Sequence, residues 1–104
     1  MGERRETGGR ESAGARRLRL IRMAEGGDKP AVWANRVGLT VTALSNYENG
    51  IPISKTAAIR MANVIQGLTT DYILRGVENG LSVDFQRRLR EAEAGEKKSK
   101  RGTK

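Results

Sequence analysis

Cysteine and histidine are both missing from this chain. Their absence removes zinc fingers, disulfide frameworks, thiol nucleophiles and imidazole bases together, and it leaves catalysis with few candidates. The serines, Ser12, Ser45, Ser54, Ser82 and Ser99, have no G-x-S-x-G context, and no acidic cluster suggests a two-metal site. We therefore expect no enzyme, no metal and no cofactor. There is also no run of eighteen apolar residues, and the first twelve, MGERRETGGRES, lack the apolar centre of a signal peptide. No membrane partner is expected, and the cytoplasm is the expected location. No internal repeat is visible.

Positive charge is plentiful. Twenty Lys and Arg against twelve Asp and Glu give a net +8 over 104 residues, an imbalance that favours a polyanionic partner such as nucleic acid or an anionic membrane. A chain of this length makes one domain plus tails, with its apolar residues concentrated in one part. The basic excess lies partly in that part: residues 1–14 are neutral, 15–76 carry +5 and 77–104 carry +3.

Residues 1–14 offer almost nothing to bury and read as a disordered arm. From Ala15, the recurrence of Leu18, Ile21, Met23 and Ala24, with Leu20 alongside, predicts an amphipathic helix stopped at Gly26 and Gly27. Asp28 is placed to cap a second helix, with Pro30 in its first turn and Trp33, Ala34 and Val37 facing inward. Gly38 ends it. Thr40 opens a third helix, over residues 40–49, whose inward face carries Ala43, Leu44 and Tyr47. Its outward face, Val41, Thr42, Ser45, Asn46 and Asn49, carries no charge in a chain that is 31% charged. Short hydroxyls, amides and methyls suit the edges of DNA bases.

Ser54 is a cap for a fourth helix with Ala58, Ile59, Ala62 and Ile65 as its buried stripe, and Thr69 or Thr70 opens a fifth that Gly76 ends. Five short helices in 15–76 predict a compact all-α domain. A linker and an extra helix follow over 77–94, where Leu81, Phe85 and Leu89 form a narrow stripe that either packs on its own domain or joins a dimer contact. Residues 95–104 read as a disordered basic tail able to add salt-sensitive attraction to phosphates.

Three stretches, LRLIR at 18–22, the A-x-x-x-G of 34–38 and SNYENG at 45–50, resemble the Cro and phage-repressor (Xre) family of helix-turn-helix regulators. Their order and spacing, followed by LTTDYILRG ending at Gly76, extend the resemblance over 15–76. It implies a five-helix bundle of the lambda-repressor type and a function as a sequence-specific double-stranded DNA-binding regulator, expected to be a repressor. Such a protein binds as a homodimer at least on DNA, at a pseudo-palindromic operator, and is nucleoid-associated when bound. The helix opened by Thr40 would lie in the major groove with Val41, Thr42, Ser45 and Asn46 at base edges. Asn46 can pair with adenine, and the methyls of Val41 and Thr42 can touch thymine. Thr40, Asn49, Lys29, Arg36 and Lys55 are the implied phosphate contacts. Arg22 and Glu48 would pair, and together with Trp33, Ala34, Leu44 and Tyr47 they would support the reading helix. The chain departs from the family at Pro30, where a glutamine usually stands, and by one extra residue at Gly26 and Gly27.

Three rival readings can be set against this one. Trp33 and Tyr47 as stacking platforms for single strands would need exposed rings. Gly26 and Gly27 as a phosphate loop would need the strand and pattern that are absent. A protein-binding module on the same fold, such as an antitoxin or adaptor, would want large apolar groups on the outward face of 41–49, where only Val41 is apolar.

Overall fold

The computed structural model describes residues 12–102, with side chains for residues 12–96. Six helices run along it: α1 (Ala13–Ala24), α2 (Pro30–Arg36), α3 (Val41–Glu48), α4 (Lys55–Val64), α5 (Thr70–Arg75) and α6 (Val83–Gly102). No strand occurs among the described residues. The fold is all-α, and the expected five helices are joined by a sixth that shares their core.

Hydroxyl caps set the helix starts. Ser12, Thr40, Ser54, Thr69 and Ser82 each accept the backbone N–H three residues on, at 3.0–3.1 Å. Each bond satisfies one of the amides that a first turn leaves free. The start of α2 departs from expectation: Lys29, not Asp28, holds the cap position, and no side chain caps it. Pro30 at the first position takes away one amide that would otherwise need a partner.

The core is aliphatic around the buried aromatics Trp33, Tyr72 and Phe85. Leu18, Leu20 and Ile21 of α1 meet Trp33 and Ala34 of α2, Leu44 of α3, Met61 of α4, Ile73 of α5 and Phe85 and Leu89 of α6. The central element is α1, which packs on α3, α5 and α6, while α2 packs on α3 and α4 on α5. Two expected core positions are exposed. Met23 is 38% exposed, and Ile59 is 50% exposed. In α4 the buried side chains are Ala57, Ala58 and Met61, with Ile65 just beyond; spacings of three and four residues follow one face, and Ile59 stands about 100° from Ala58 on the helix.

The stripe of α6 is consumed at home. Leu81, Phe85, Leu89 and Ala92 are all buried in the common core, so the stripe packs on its own domain and is not left for a second copy. The turn before α5 admits this helix because of Gly67. Its carbonyl accepts the Ser82 N–H at 3.1 Å, and at its φ of +89° any added Cβ would stand 2.3 Å from Ser82 Oγ. Ion pairs also bind α6 to α1 and its end: Glu96 meets Arg16 at 3.1 Å and Arg19 at 3.0 Å, and Arg88 meets Glu25 at 3.3 Å.

At the two ends the segments differ from the expected arm and tail. Ser12 caps α1 and residues 13–14 open it, while residues 1–11 of the expected arm lie outside the described residues. Helix α6 continues through residues 95–102, so the basic segment is helical there, and residues 103–104 lie outside the described residues. No helix among the described residues is long and apolar enough to cross a membrane.

Candidate nucleic-acid interface

Helix α3 is the mounting on which the candidate residues stand. Thr40 precedes it in an extended conformation, and its Oγ1 accepts the Ala43 N–H at 3.0 Å. Leu44 is the anchor, 2% exposed, and Tyr47 packs partly buried against the core with its hydroxyl 3.4 Å from Ser54 Oγ. This orientation leaves Val41, Thr42, Ser45, Asn46 and Asn49 exposed together on the outer side. All four proposed base-reading side chains are therefore on one uncharged face.

A guanidinium holds that helix to α1. Arg22 donates from Nε to Glu48 Oε2 at 2.8 Å and from Nη2 to Oε1 at 3.3 Å, a two-pronged pair of the kind that fixes orientation as well as charge. Its remaining arm, Nη1, donates to the Gly27 carbonyl at 2.8 Å. The side chains of Arg22 and Glu48 are 15% and 21% exposed, so solvent screens the pair only in part. One residue, Arg22, thus ties together the end of α1, the turn before α2 and the end of α3.

Gly27 is required at that junction. A Cβ there would stand 2.8 Å from the Trp33 ring and 2.9 Å from Arg22 Cγ. The turn at Gly26 and Gly27 brings its backbone against both side chains. Sequence reasoning had no signal for this, because the bond runs from Arg22 to a carbonyl five residues on.

The expected phosphate contacts divide. Lys29 and Lys55 are exposed and make no ion pair with another described residue. Lys29 stands beside Pro30, which lines a cleft with α3, and Lys55 follows Ser54, near the end of the same helix. Thr40 and Asn49 are exposed at the two ends of α3. Arg36 is half exposed and also paired: its Nη2 donates to Glu25 Oε1 at 2.6 Å, at the end of α2 opposite Pro30. Trp33 is 2% exposed and Ala34 fully buried, which leaves the indole no room to stack on a base.

Two further features were not legible in the sequence. Arg17 donates to the Ile73 and Leu74 carbonyls at 3.3 and 3.2 Å, joining α1 to the end of α5. Alongside α3, Pro30, Val41, Leu44, Ser45, Glu48 and Asn49 line an open cleft of about 300 Å³. Among the described residues no group of three or more His, Cys, Asp or Glu is placed to hold a metal ion. No protein-family model, curated protein or solved structure matches the chain.

Proposed function

We propose that this protein is a sequence-specific double-stranded DNA-binding transcriptional regulator of the Cro and phage-repressor helix-turn-helix type, acting as a repressor from a dimer on a pseudo-palindromic operator. The observation that carries the reading is the exposed, uncharged face of α3, with Val41, Thr42, Ser45 and Asn46 side by side, in a chain of net charge +8. A major groove accepts a whole helix and distinguishes all four base pairs by donors, acceptors and methyl groups, which such a face complements. The Arg22 to Glu48 pair supports it by fixing the angle at which α3 leaves the domain. Lys29 and Lys55 supply exposed cations for phosphates, and Thr40 and Asn49 supply polar groups at the helix ends. Because Leu81, Phe85 and Leu89 are buried internally, the dimer contact uses another surface or forms only on DNA.

Selection of bound sequences from a random duplex pool tests the proposal. Recovery of a two-fold symmetric motif supports it, and affinity should fall steeply with salt. In that motif Asn46→Ala is expected to relax preference at one position per half-site, costing about 1–3 kcal/mol; an equal loss on every sequence would remove Asn46 from the reading set. A protein-docking reading draws on the exposed aliphatic side chains of Val41 and Ile51. It gains if no motif is recovered at moderate salt.

A further inference from the structure

We infer that the cleft between the start of α2 and the outer face of α3 is a recognition notch for the 5-methyl group of a pyrimidine, and that Pro30 is a specificity-determining residue within it. The inference rests on the DNA-reading function proposed above and assigns one chemical group to one part of that face.

The lining carries the argument. Pro30 contributes a ring with no N–H to donate, Val41 an isopropyl group that is 51% exposed, and Leu44 the 2% exposed floor. The remaining side chains are Ser45 and Asn49, both uncharged, and Glu48. The Glu48 carboxylate is occupied by Arg22 at 2.8 and 3.3 Å, so its charge is answered from within the protein. No cation lines this cleft, whereas those beside it hold Lys29 and Arg36, or Arg22. A phosphate would therefore find no countercharge here.

What the major groove offers to an apolar, cation-free surface is narrow. Its edges present ring nitrogens, carbonyls and amino groups, and the methyl on C5 of thymine is the one apolar group among them. A 5-methylcytosine carries the same methyl on a different base pair. Both present a group that Pro30 and Val41 can cover from two helices at once, while a polar side chain at position 30 would bring a group needing its own partner. The cleft is open and shallow in chemistry, with uncharged hydroxyl and amide groups at Ser45 and Asn49 to meet the polar atoms flanking a methyl.

The test uses the full chain and a duplex recovered by selection. Each thymine is replaced singly by deoxyuridine, which removes the methyl and keeps the base pair. One position per half-site should bind roughly fourfold more weakly, the amount expected for one buried methyl. With Pro30→Ala and Val41→Ala, each kept only if its thermal unfolding is cooperative, that difference should shrink toward none. A cytosine and a 5-methylcytosine at the same position separate the two sources: tighter binding of thymine assigns the methyl of an A·T pair, and tighter binding of 5-methylcytosine assigns a methylated G·C pair. A selected motif in which no deoxyuridine substitution weakens binding and no 5-methylcytosine substitution tightens it overturns the notch while leaving the DNA reading intact. Sensitivity that persists unchanged in both variants places the methyl elsewhere and also overturns it. Failure to select any motif overturns the function on which it rests.

Discussion

At the scale of single residues, Arg22 is the side chain on which most depends. Arg22→Ala should lower stability by about 1–3 kcal/mol, since it leaves a half-buried carboxylate and a carbonyl without their donor. The double variant Arg22→Ala/Glu48→Ala should lose less than the Arg22→Ala single, because no charge is left alone. Denaturant unfolding of both singles and the double measures the coupling; losses that simply add would show that the pair is not a unit. The resemblance to a known family supplied this pair, and the bond lengths now give it a third member, the Gly27 carbonyl. That member was hidden because a carbonyl belongs to every residue and so leaves no mark in a sequence. The ion pair of Arg36 was hidden for a related reason: a cation on a helix reads the same whether or not a carboxylate stands beside it, as Glu25 does here at 2.6 Å.

At the scale of elements, capping made the helix starts legible. Thr40 and Ser54 were readable from the sequence and each accepts the expected amide, and of the two candidates Thr69 and Thr70 it is Thr69 that caps α5. Thr40→Ala and Ser54→Ala should each cost about 1 kcal/mol of stability. On the proposed function, Thr40→Ala alone should also weaken DNA binding on all sequences alike, as loss of a phosphate contact does. Equal affinities for the two variants would remove Thr40 from the contact set. Facing was less legible. The stripe of α4 was read through Ile59, although Ala57, Ala58 and Met61 occupy the core there, because a run of apolar residues does not show which of them turns inward.

The long sixth helix carries a prediction of its own. Burial works to raise the Glu96 carboxyl, and the hydrogen bond and charge of Arg19 together with the charge of Arg16 outweigh it, so the group lies below its ordinary value of 4.5. A depressed acid contributes stability that is complete above the unfolded value and disappears as pH falls through the lower, folded one. The difference in melting temperature between the parent and Glu96→Gln should therefore be constant from pH 7 to about 5 and shrink as pH falls below 4.5 and through the lower, folded value. A difference that does not shrink on acidification would mean that the clamp on Arg16 and Arg19 adds nothing by charge.

For the whole molecule, the common core extends past residue 76. Residues 15–76 hold five helices but not a complete core, since Phe85 and Leu89 of α6 are each 0% exposed. Phe85→Ala should cost about 3–5 kcal/mol, a large share of the 5–15 kcal/mol typical of a domain; a loss below 1 kcal/mol would return α6 to the status of an appendage. The stripe at Leu81, Phe85 and Leu89 was visible, but periodicity tells only that a helix has an apolar side, never which surface will cover it. Here it is the chain's own first helix.

That closure of last helix on first has a kinetic side. Contacts between α1 and α6 join residues separated by as many as 80 positions, an unusually long range for an all-helical protein, and ordering so large a loop comes before any reward from the contact. On the ribosome, at about 5–20 residues per second, α1 is made some seconds before α6. During that interval the apolar side of α1 lacks its cover. The helix that would read DNA is synthesised early, and the scaffold that holds it still arrives late.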